Sequence, residues 1–275
     1  MTLPSFFPRL CLAAMLVAFA PADAWSASSD WEDLGGGKAR LVAELDPVSG
    51  EIHGVVEFDL DEGWKTYWRQ PGGSGIPPEF DFSGSRFFVP GSVRFPVPRH
   101  ITLENTEFAG YRGNVLFPFD GGVDALDPAG RIELSMIAGV CAEICIPATA
   151  QFEIPFSDLM GSDAEAASVI EAAQAALPAG PVPGFRIISL KDDGTDSLIA
   201  TAELPAGSSA AELFAEGPQG WNLRPAQLVS REENTARFRI DLSELPKDIE
   251  RAGTSLRLTL GNGERGIEQE LQITR

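Results

Sequence analysis

The chain has 275 residues with 40 acidic and 21 basic side chains, which gives a formal net charge of −19. This charge argues against a protein that binds nucleic acid or an anionic membrane surface, because both kinds of binding need basic patches. The 28 glycines, 21 prolines and 17 phenylalanines are typical of an all-β protein. The length exceeds what one ordinary β domain requires.

The first 24 residues have the pattern of a secretory signal peptide, which is removed from the mature protein. Arg9 supplies the positive charge, residues 10–20 form an apolar stretch too short to span a bilayer, and residues 22–24 fit an A-x-A cleavage site. Cys11 lies within the apolar stretch, so we expect it to be removed as well. Since no later stretch offers about 18 consecutive apolar residues, we expect a soluble periplasmic protein without membrane insertion.

Short stretches of alternating apolar and polar residues, separated by turn signals, predict strands along most of the chain. Residues 69–80, RQPGGSGIPPEF, form a loop because they contain too many glycines and prolines for regular structure. A turn about every ten residues predicts a β-sandwich. The predicted strands of this first part are residues 39–45, 51–60, 63–68, 92–98, 114–120, 131–140 and 150–156.

Residues 162–177 predict the one clear helix. Ser162 and Glu165 have the spacing of a capping box, alanine is the best helix former, and PAGPVPG ends the segment. Because its apolar side chains are small, we interpret residues 162–180 as a helical connector that buries little. A second series of alternating stretches, with turns at REEN and GNGERG, predicts a second, smaller β-sandwich over residues 181–275.

Cys141 and Cys145, in GVCAEICIPA, are the only cysteines after the signal peptide. On one straight strand their Cα atoms would be about 13 Å apart, whereas a disulfide needs about 4.4–6.8 Å. If residues 142–144 form a three-residue turn, the two cysteines face each other across a hairpin at about 4.5–5.5 Å. Such a disulfide closes a very small loop and contributes little loop-closure entropy.

The position of this pair leaves two interpretations open. Pro147 follows it at a strand end, where a partner thiolate could reach the sulfurs, and exchange requires such access. Glu143 lies between the cysteines, and a nearby carboxylate raises the pKa of a thiol. The spacing alone therefore allows either thiol–disulfide exchange or an inert local disulfide.

Four stretches of the chain occur in a characteristic order: GWKTYWRQPGGSGIPPEFDFSGS, VRFPVPRHI, FAGYRGNVLFP and GVCAEICIPATAQFEI. Together they resemble the N-terminal periplasmic domain of DsbD, the bacterial transmembrane thiol–disulfide reductase, and especially its ScsB-like branch. The resemblance implies a redox domain with an immunoglobulin-like fold over residues 30–158. ScsB-like proteins also carry a second β domain after it.

The resemblance implies that Cys141 and Cys145 are the redox pair. Cys145 would exchange with a partner, and Cys141 would resolve the mixed disulfide. Electrons would pass from a membrane thiol–disulfide reductase through this pair to periplasmic thioredoxin-like or disulfide isomerase proteins. Because the sequence contains no membrane domain and no thioredoxin-like domain, this protein-disulfide reductase module would need a separate membrane partner, or would act only as a binding module.

Members of this family cover their disulfide with an aromatic cap loop. The matching region is residues 103–111, with Phe108 as the candidate cap and Tyr111 beside it. ENTEFAGY departs here from the acidic residue and adjacent aromatics of the better-known caps. Tyr67, Trp64 and Trp68 match the aromatic strand of the family, and their alternative role is packing.

Two further functions compete with exchange. One is a non-catalytic binding protein with a structural disulfide. The other is a copper-handling protein, since thiolates suit Cu(I) and Met136 precedes Cys141 by five residues; ScsB-like systems are associated with copper tolerance. We predict no cofactor and no resident metal site. His53 is predicted at the surface of a strand, and His100 lies near the proposed cap.

Overall fold

The computed structural model describes residues 27–73, 75–103, 106–246 and 249–275. The predicted signal peptide with Cys11, and residues 104–105 of the predicted cap, lie outside these ranges. The described residues form antiparallel strands, one 3-10 helix and one α-helix. Within these ranges, no helix has the length and apolar character needed to cross a bilayer.

The first part of the chain forms eleven strands and then the two helices. The strands are β1 (Glu32–Asp33), β2 (Gly37–Leu45), β3 (Glu51–Leu60), β4 (Lys65–Tyr67), β5 (Glu79–Asp81), β6 (Phe88–Val93), β7 (Arg99–Leu103), β8 (Thr106–Arg112), β9 (Asn114–Val123), β10 (Arg131–Cys141) and β11 (Cys145–Pro155). The 3-10 helix is Phe156–Leu159, and α1 is Ala164–Ala175.

These strands build an immunoglobulin-like sandwich of two antiparallel sheets. One sheet has the order β1-β2-β3-β9-β6, and the other has the order β11-β10-β4-β8-β7, with β5 paired to β10. Alternation along each strand explains the core. In β11, for example, Ala148, Ala150, Phe152 and Ile154 are buried while the residues between them are exposed.

The α-helix packs on the outer face of the first sheet. Strand β3 is buried on both faces over much of its length because Ile170 and Ala173 of the helix cover Val55. The prediction that this helix buries little was therefore wrong. Small alanines allow close approach to the sheet, and Ile170 supplies the larger apolar contact.

The ends of the helix also differ from the prediction. Asp163, rather than Ser162, is the N-cap, and its carboxylate accepts hydrogen bonds from the backbone N–H groups of Glu165 and Ala166 at 2.9 and 3.2 Å. The regular helix ends at Ala175, two residues before the predicted end.

One predicted strand is misplaced. Residues 92–98 were expected to be extended in a ladder, but β6 ends at Val93 and the next five residues form no strand. Pro96 and Pro98 explain the error, because proline cannot donate to a ladder. The predicted cap region instead contributes β7 and β8, which pair as a hairpin.

The second part of the chain forms a smaller sandwich around its own core. One sheet has four strands and the other three, and the turns predicted at REEN and GNGERG join neighbouring strands. The sequence did not indicate β14. The strands are β12 (Arg186–Asp192), β13 (Ser197–Glu203), β14 (Glu212–Glu216), β15 (Gln227–Glu232), β16 (Thr235–Asp241), β17 (Ser255–Gly261) and β18 (Gly266–Gln272).

A partly buried ionic contact joins the two sandwiches. The guanidinium group of Arg69 donates to both carboxylate oxygens of Glu216 at 2.7 and 2.6 Å, and it also binds Glu268. The same group lies 4.6 Å from the centroid of the Trp68 ring, and that ring contacts Phe214 at 5.8 Å. The loop that follows β4 is therefore held by the second sandwich.

Candidate redox site

The two cysteines close the end of the β10–β11 hairpin. All eleven residues of β10 pair in unbroken register with those of β11, and the last pair is Cys141 opposite Cys145. The two residues form a disulfide with Cα atoms 4.0 Å apart. Residues 142–144 form the turn, in which the N–H of Ala142 donates to the carbonyl of Ile144 at 3.1 Å. The predicted three-residue turn is confirmed.

The two sulfur-bearing residues differ sharply in exposure. Cys141 is only 1% exposed. Cys145 is exposed, as are its neighbours Glu143 and Pro147, and the side chain of Ile144 is 71% exposed. An incoming thiolate can therefore approach Cys145 from solvent, whereas the fold shields Cys141.

Strand alternation places a small apolar cluster around the buried cysteine. Cys141 lies opposite Lys65 of β4, so Tyr67, two residues along the same strand, shares its face of the sheet. Phe108 of β8 and Ile101 of β7 occupy the same face, where they are opposed to each other. Tyr67, Ile101, Phe108 and Cys141 are all buried and form one cluster.

Tyr67 is the side chain whose polar atom lies against the disulfide. Its hydroxyl oxygen is 3.0 Å from Sγ of Cys145 and 3.2 Å from Sγ of Cys141. The hydroxyl is the donor here because a disulfide sulfur carries no hydrogen. Burial raises the pKa of Tyr67 above its ordinary value, so the phenol keeps its proton at neutral pH. A thiolate formed here would therefore meet a hydrogen-bond donor.

Phe108, the candidate cap, packs against this tyrosine. The two ring centroids are 4.8 Å apart with an interplanar angle of 52°. Phe108 is 2% exposed and therefore supports Tyr67 while it excludes water from one side of the cluster. Tyr67 is the nearer cover of the sulfurs, and the resemblance alone did not indicate this order.

Two glycines, which the sequence reasoning missed, make room for the Tyr67 ring. A Cβ atom on Gly139 would lie 2.8 Å from Cε2 of Tyr67, and one on Gly75 would lie 2.8 Å from Cδ1 and Cε1. Gly75 also has a φ of +149°, which side chains rarely adopt. Gly139 stands out in the sequence because it lies beside the cysteine motif. Its contact with Tyr67 could not be predicted, because Tyr67 is on another strand.

Replacing Gly139 with alanine is expected to push Tyr67 away from the sulfurs. Overpacking of this kind costs about 1–3 kcal/mol of unfolding free energy, which urea titration of the oxidised protein would measure. The rate at which dithiothreitol reduces the disulfide should rise as well. Gly180→Ala is the matched control, since a Cβ at Gly180 meets nothing within 4 Å. Equal losses in the two variants would contradict a tight fit of Tyr67 against Gly139.

Lys65 is a third residue that sequence reasoning missed. It is buried opposite Cys141, and its ammonium group donates to the carbonyl of Ala142, in the turn between the cysteines, at 3.2 Å. Burial, together with the positive charge of Arg112, lowers its pKa below the ordinary value. The residue is far from the cysteines in sequence, and only the β4–β10 ladder brings it to them.

Tyr111, His100 and Met136 do not join the site. The hydroxyl of Tyr111 donates to the carbonyl of Pro96 at 2.9 Å, and its ring contacts Phe117 in the core. Tyr111 is one residue out of phase with Phe108 and Gly110, so it faces the interior of the sandwich. Its assignment to the surroundings of the disulfide was wrong.

His100 is likewise out of phase with Ile101, and its ring nitrogen lies 3.4 Å from a carboxylate oxygen of Glu107. Met136 is buried in the core and has the opposite parity to Cys141 along β10, so it cannot join the thiols in a copper site. The described residues contain no group of three or more His, Cys, Asp or Glu side chains that could hold a metal ion.

Trp64, Trp68 and His53 lie away from the disulfide cluster. Trp68 is 1% exposed in the first core, and Trp64 packs against that core from its edge. His53 is exposed, as predicted, with Nδ1 2.9 Å from a carboxylate oxygen of Asp120. Packing is therefore the role that the structure gives to both tryptophans.

Comparison with solved structures supports the fold assignment. The N-terminal periplasmic domain of ScsB from Proteus mirabilis superposes with a TM-score of 0.73 at 19% identity, covering 91% of this chain and 99% of that one. At this identity the similarity establishes the fold alone.

Two other solved structures have a TM-score of only 0.21, too low to support an argument. They are a conserved domain protein from Bacillus anthracis, with 10% identity over 88% of each chain, and the human desmocollin-1 ectodomain, with 8% identity over 93% of this chain and 53% of that one. A comparison with curated proteins gives no match.

A family profile covers the sandwich that contains the cysteines. The profile described as "Thiol:disulfide interchange protein DsbD, N-terminal" matches residues 39–157. This range runs from β2 to the 3-10 helix and includes both cysteines, Tyr67 and Phe108. The immunoglobulin-like sandwich that carries the Cys141–Cys145 disulfide is therefore similar to the N-terminal domain of DsbD, a thiol:disulfide interchange protein.

Proposed function

We propose that the protein is a periplasmic thiol–disulfide exchange module in which Cys145 reacts with partners and Cys141 resolves the mixed disulfide. The observation that carries this proposal is the asymmetry of the pair, with Cys145 exposed and Cys141 only 1% exposed. A disulfide with a purely structural role does not require one exposed and one buried cysteine. This disulfide also closes a loop too small for loop-closure entropy to contribute much to stability.

The chemistry has two steps when the module donates electrons. The Cys145 thiolate attacks a disulfide of the partner, so a mixed disulfide forms and one partner sulfur leaves as a thiolate. The Cys141 thiolate then attacks Sγ of Cys145, which closes the internal disulfide and releases the second partner sulfur as a thiolate. The partner gains two electrons, and the module loses two.

The same steps in reverse reduce the Cys141–Cys145 disulfide again. The electron donor would be a membrane thiol–disulfide reductase, and the acceptors would be periplasmic thioredoxin-like or disulfide isomerase proteins. The exposed Ile144 and Pro147 beside Cys145 provide apolar surface for such partners. In this role the module is a protein-disulfide reductase component that needs no cofactor beyond its two cysteines.

The reduction potential of the Cys141–Cys145 pair tests the proposal. Purified protein would be equilibrated with glutathione or dithiothreitol buffers, and the free thiols would be trapped and counted. We expect a value between about −180 and −270 mV, the range of known exchange proteins. The Cys141→Ser/Cys145→Ser double variant gives the background. A potential well below about −300 mV would overturn the proposal and indicate a binding module with a structural disulfide.

A further inference from the structure

Lys65 is a buried cation that has no anionic partner among the described residues. Among them, its ammonium group binds a neutral carbonyl, that of Ala142, at 3.2 Å. In the described part of the chain, the one ion pair made by a lysine is that of the exposed Lys38 with Asp59. Arg112, opposite Lys65 on β8, adds a like charge rather than a compensating one. A buried cation in this setting is costly, so a state of the protein that places an anion beside it is favoured relative to the oxidised state.

Opening of the disulfide supplies that anion beside Lys65. Cys141 is the residue opposite Lys65 in the β4–β10 ladder, and Ala142, which binds the ammonium group, follows Cys141 directly. When a partner thiolate attacks Cys145, the bond between the two sulfurs breaks and Cys141 leaves as a thiolate. When the module donates electrons, Cys141 must again be a thiolate in order to attack Cys145.

A thiolate at Cys141 would be unfavourable without a positive charge nearby. The side chain is buried in the cluster with Tyr67, Ile101 and Phe108, and burial in apolar surroundings raises the pKa of a thiol. Tyr67 can donate one hydrogen bond but carries no charge. Glu143, in the turn, is exposed and has the wrong sign. Lys65 and Arg112 are the cations that face this position from β4 and β8.

We propose that Lys65 supplies the charge that compensates the Cys141 thiolate, and so makes Cys141 both a good leaving group and a good resolving nucleophile. This role rests on the proposed exchange function. In the oxidised protein Lys65 holds the turn through Ala142, and in the reduced protein it stabilises the thiolate. The charge therefore favours the reduced state and raises the reduction potential of the pair.

The variant Lys65→Gln separates charge from hydrogen bonding, because an amide can still donate to the Ala142 carbonyl. Its equilibrium constant for reduction by glutathione at pH 7 should fall about tenfold, which corresponds to about 30 mV for this two-electron couple. Lys65→Met should show the same shift, and Lys65→Arg should restore most of the wild-type value. Lys191→Gln, at an exposed lysine in β12, is the control and should not change the constant.

A second measurement does not depend on exchange. In a Cys145→Ser background, the rate of Cys141 alkylation as a function of pH gives the pKa of that thiol. Loss of Lys65 should move the midpoint upward by about one unit, a tenfold change in acidity. A purely structural role of Lys65 would change the urea midpoint of the oxidised protein but leave the alkylation midpoint unchanged.

The outcomes distinguish the two proposals. If the wild type exchanges normally and Lys65→Gln has an unchanged constant and midpoint, the role of Lys65 is refuted while the exchange function stands. If the wild-type disulfide resists glutathione but the alkylation midpoint still shifts in Lys65→Gln, exchange is refuted and the charge effect is supported. If Lys65→Gln and Lys65→Met fail to fold, an unchanged midpoint in Lys65→Arg would support the charge role, and a midpoint about one unit higher would contradict it.

Discussion

Replacing Cys145 with serine is expected to abolish exchange, whereas replacing Cys141 with serine should leave a protein that forms mixed disulfides and cannot resolve them. The exposed sulfur remains in Cys141→Ser and only the buried one remains in Cys145→Ser. Thiol–disulfide exchange needs access to the attacking sulfur. Complete loss in one variant and covalent trapping in the other would assign the two roles.

Reaction with DTNB gives a quantitative version of this test. Native Cys141→Ser should react at least about tenfold faster than native Cys145→Ser, since access to the thiol controls the rate. The two rates should converge in concentrated urea, where the fold no longer shields Cys141. Equal rates in the native state would contradict the assignment, because the burial difference between the two positions would then have no chemical effect.

Replacing Arg69 with alanine is expected to cost about 3–5 kcal/mol of unfolding free energy, the usual effect of removing one partner from a buried ion pair. Arg69 is 20% exposed at its side chain, and its removal leaves the partly buried Glu216 without this cation and Glu268 with only the more distant Arg257, at 3.8 Å. The contact with the Trp68 ring is lost as well. Urea titration of the whole chain measures the loss.

A matched control and a rescue sharpen this prediction. Arg186 forms an ion pair with Glu203 at 2.7 Å on the surface of the second sandwich, so Arg186→Ala removes the same chemical group where water replaces it. Its effect should be far smaller. Neutralising Glu216 and Glu268 to glutamine in the Arg69→Ala background should recover part of the stability. Equal losses of unfolding free energy for Arg69→Ala and Arg186→Ala would show that the ion pairs of Arg69 are exposed to solvent.

Arg69→Ala should also affect the disulfide through the loop that follows β4. This loop presents Gly75 to the Tyr67 ring and accepts a hydrogen bond from the N–H of Gly139 at the carbonyl of Ile76, 2.9 Å away. Without the contacts between Arg69 and the second sandwich, the loop is less restrained. It should then hold the Tyr67 ring less firmly over the sulfurs. Faster reduction by dithiothreitol, measured beside the urea titration, would reveal this coupling.

The sequence predicted those parts of the fold that depend on local pattern. Alternation located β2, β3 and β10, and the three-residue spacing located the turn between the cysteines. The prediction failed at residues 92–98, where alternation is present but Pro96 and Pro98 prevent a ladder. It also failed for the helix, because the number of small residues does not reveal whether a sheet face such as that of Val55 needs a cover.

The candidate site was only partly predictable for a related reason. Cys141, Cys145, Tyr67 and Phe108 followed from spacing and resemblance. Lys65 did not, because it reaches the cysteines across a ladder from a distant part of the chain. Tyr111 was assigned to the wrong face since strand phase in the cap hairpin depends on register, and register was not visible in the sequence.

The unbroken β10–β11 register bears on how many rounds of proposed exchange the fold can withstand. The disulfide sits at the end of a ladder whose backbone pairing does not depend on it. Breaking the bond releases a ring of only five residues, so the unfolded chain gains little freedom and the folded chain keeps its ladder. In the exchange cycle that we propose, the module can then take up and release two electrons without partial unfolding. We therefore expect the fold to remain intact over many rounds of oxidation and reduction.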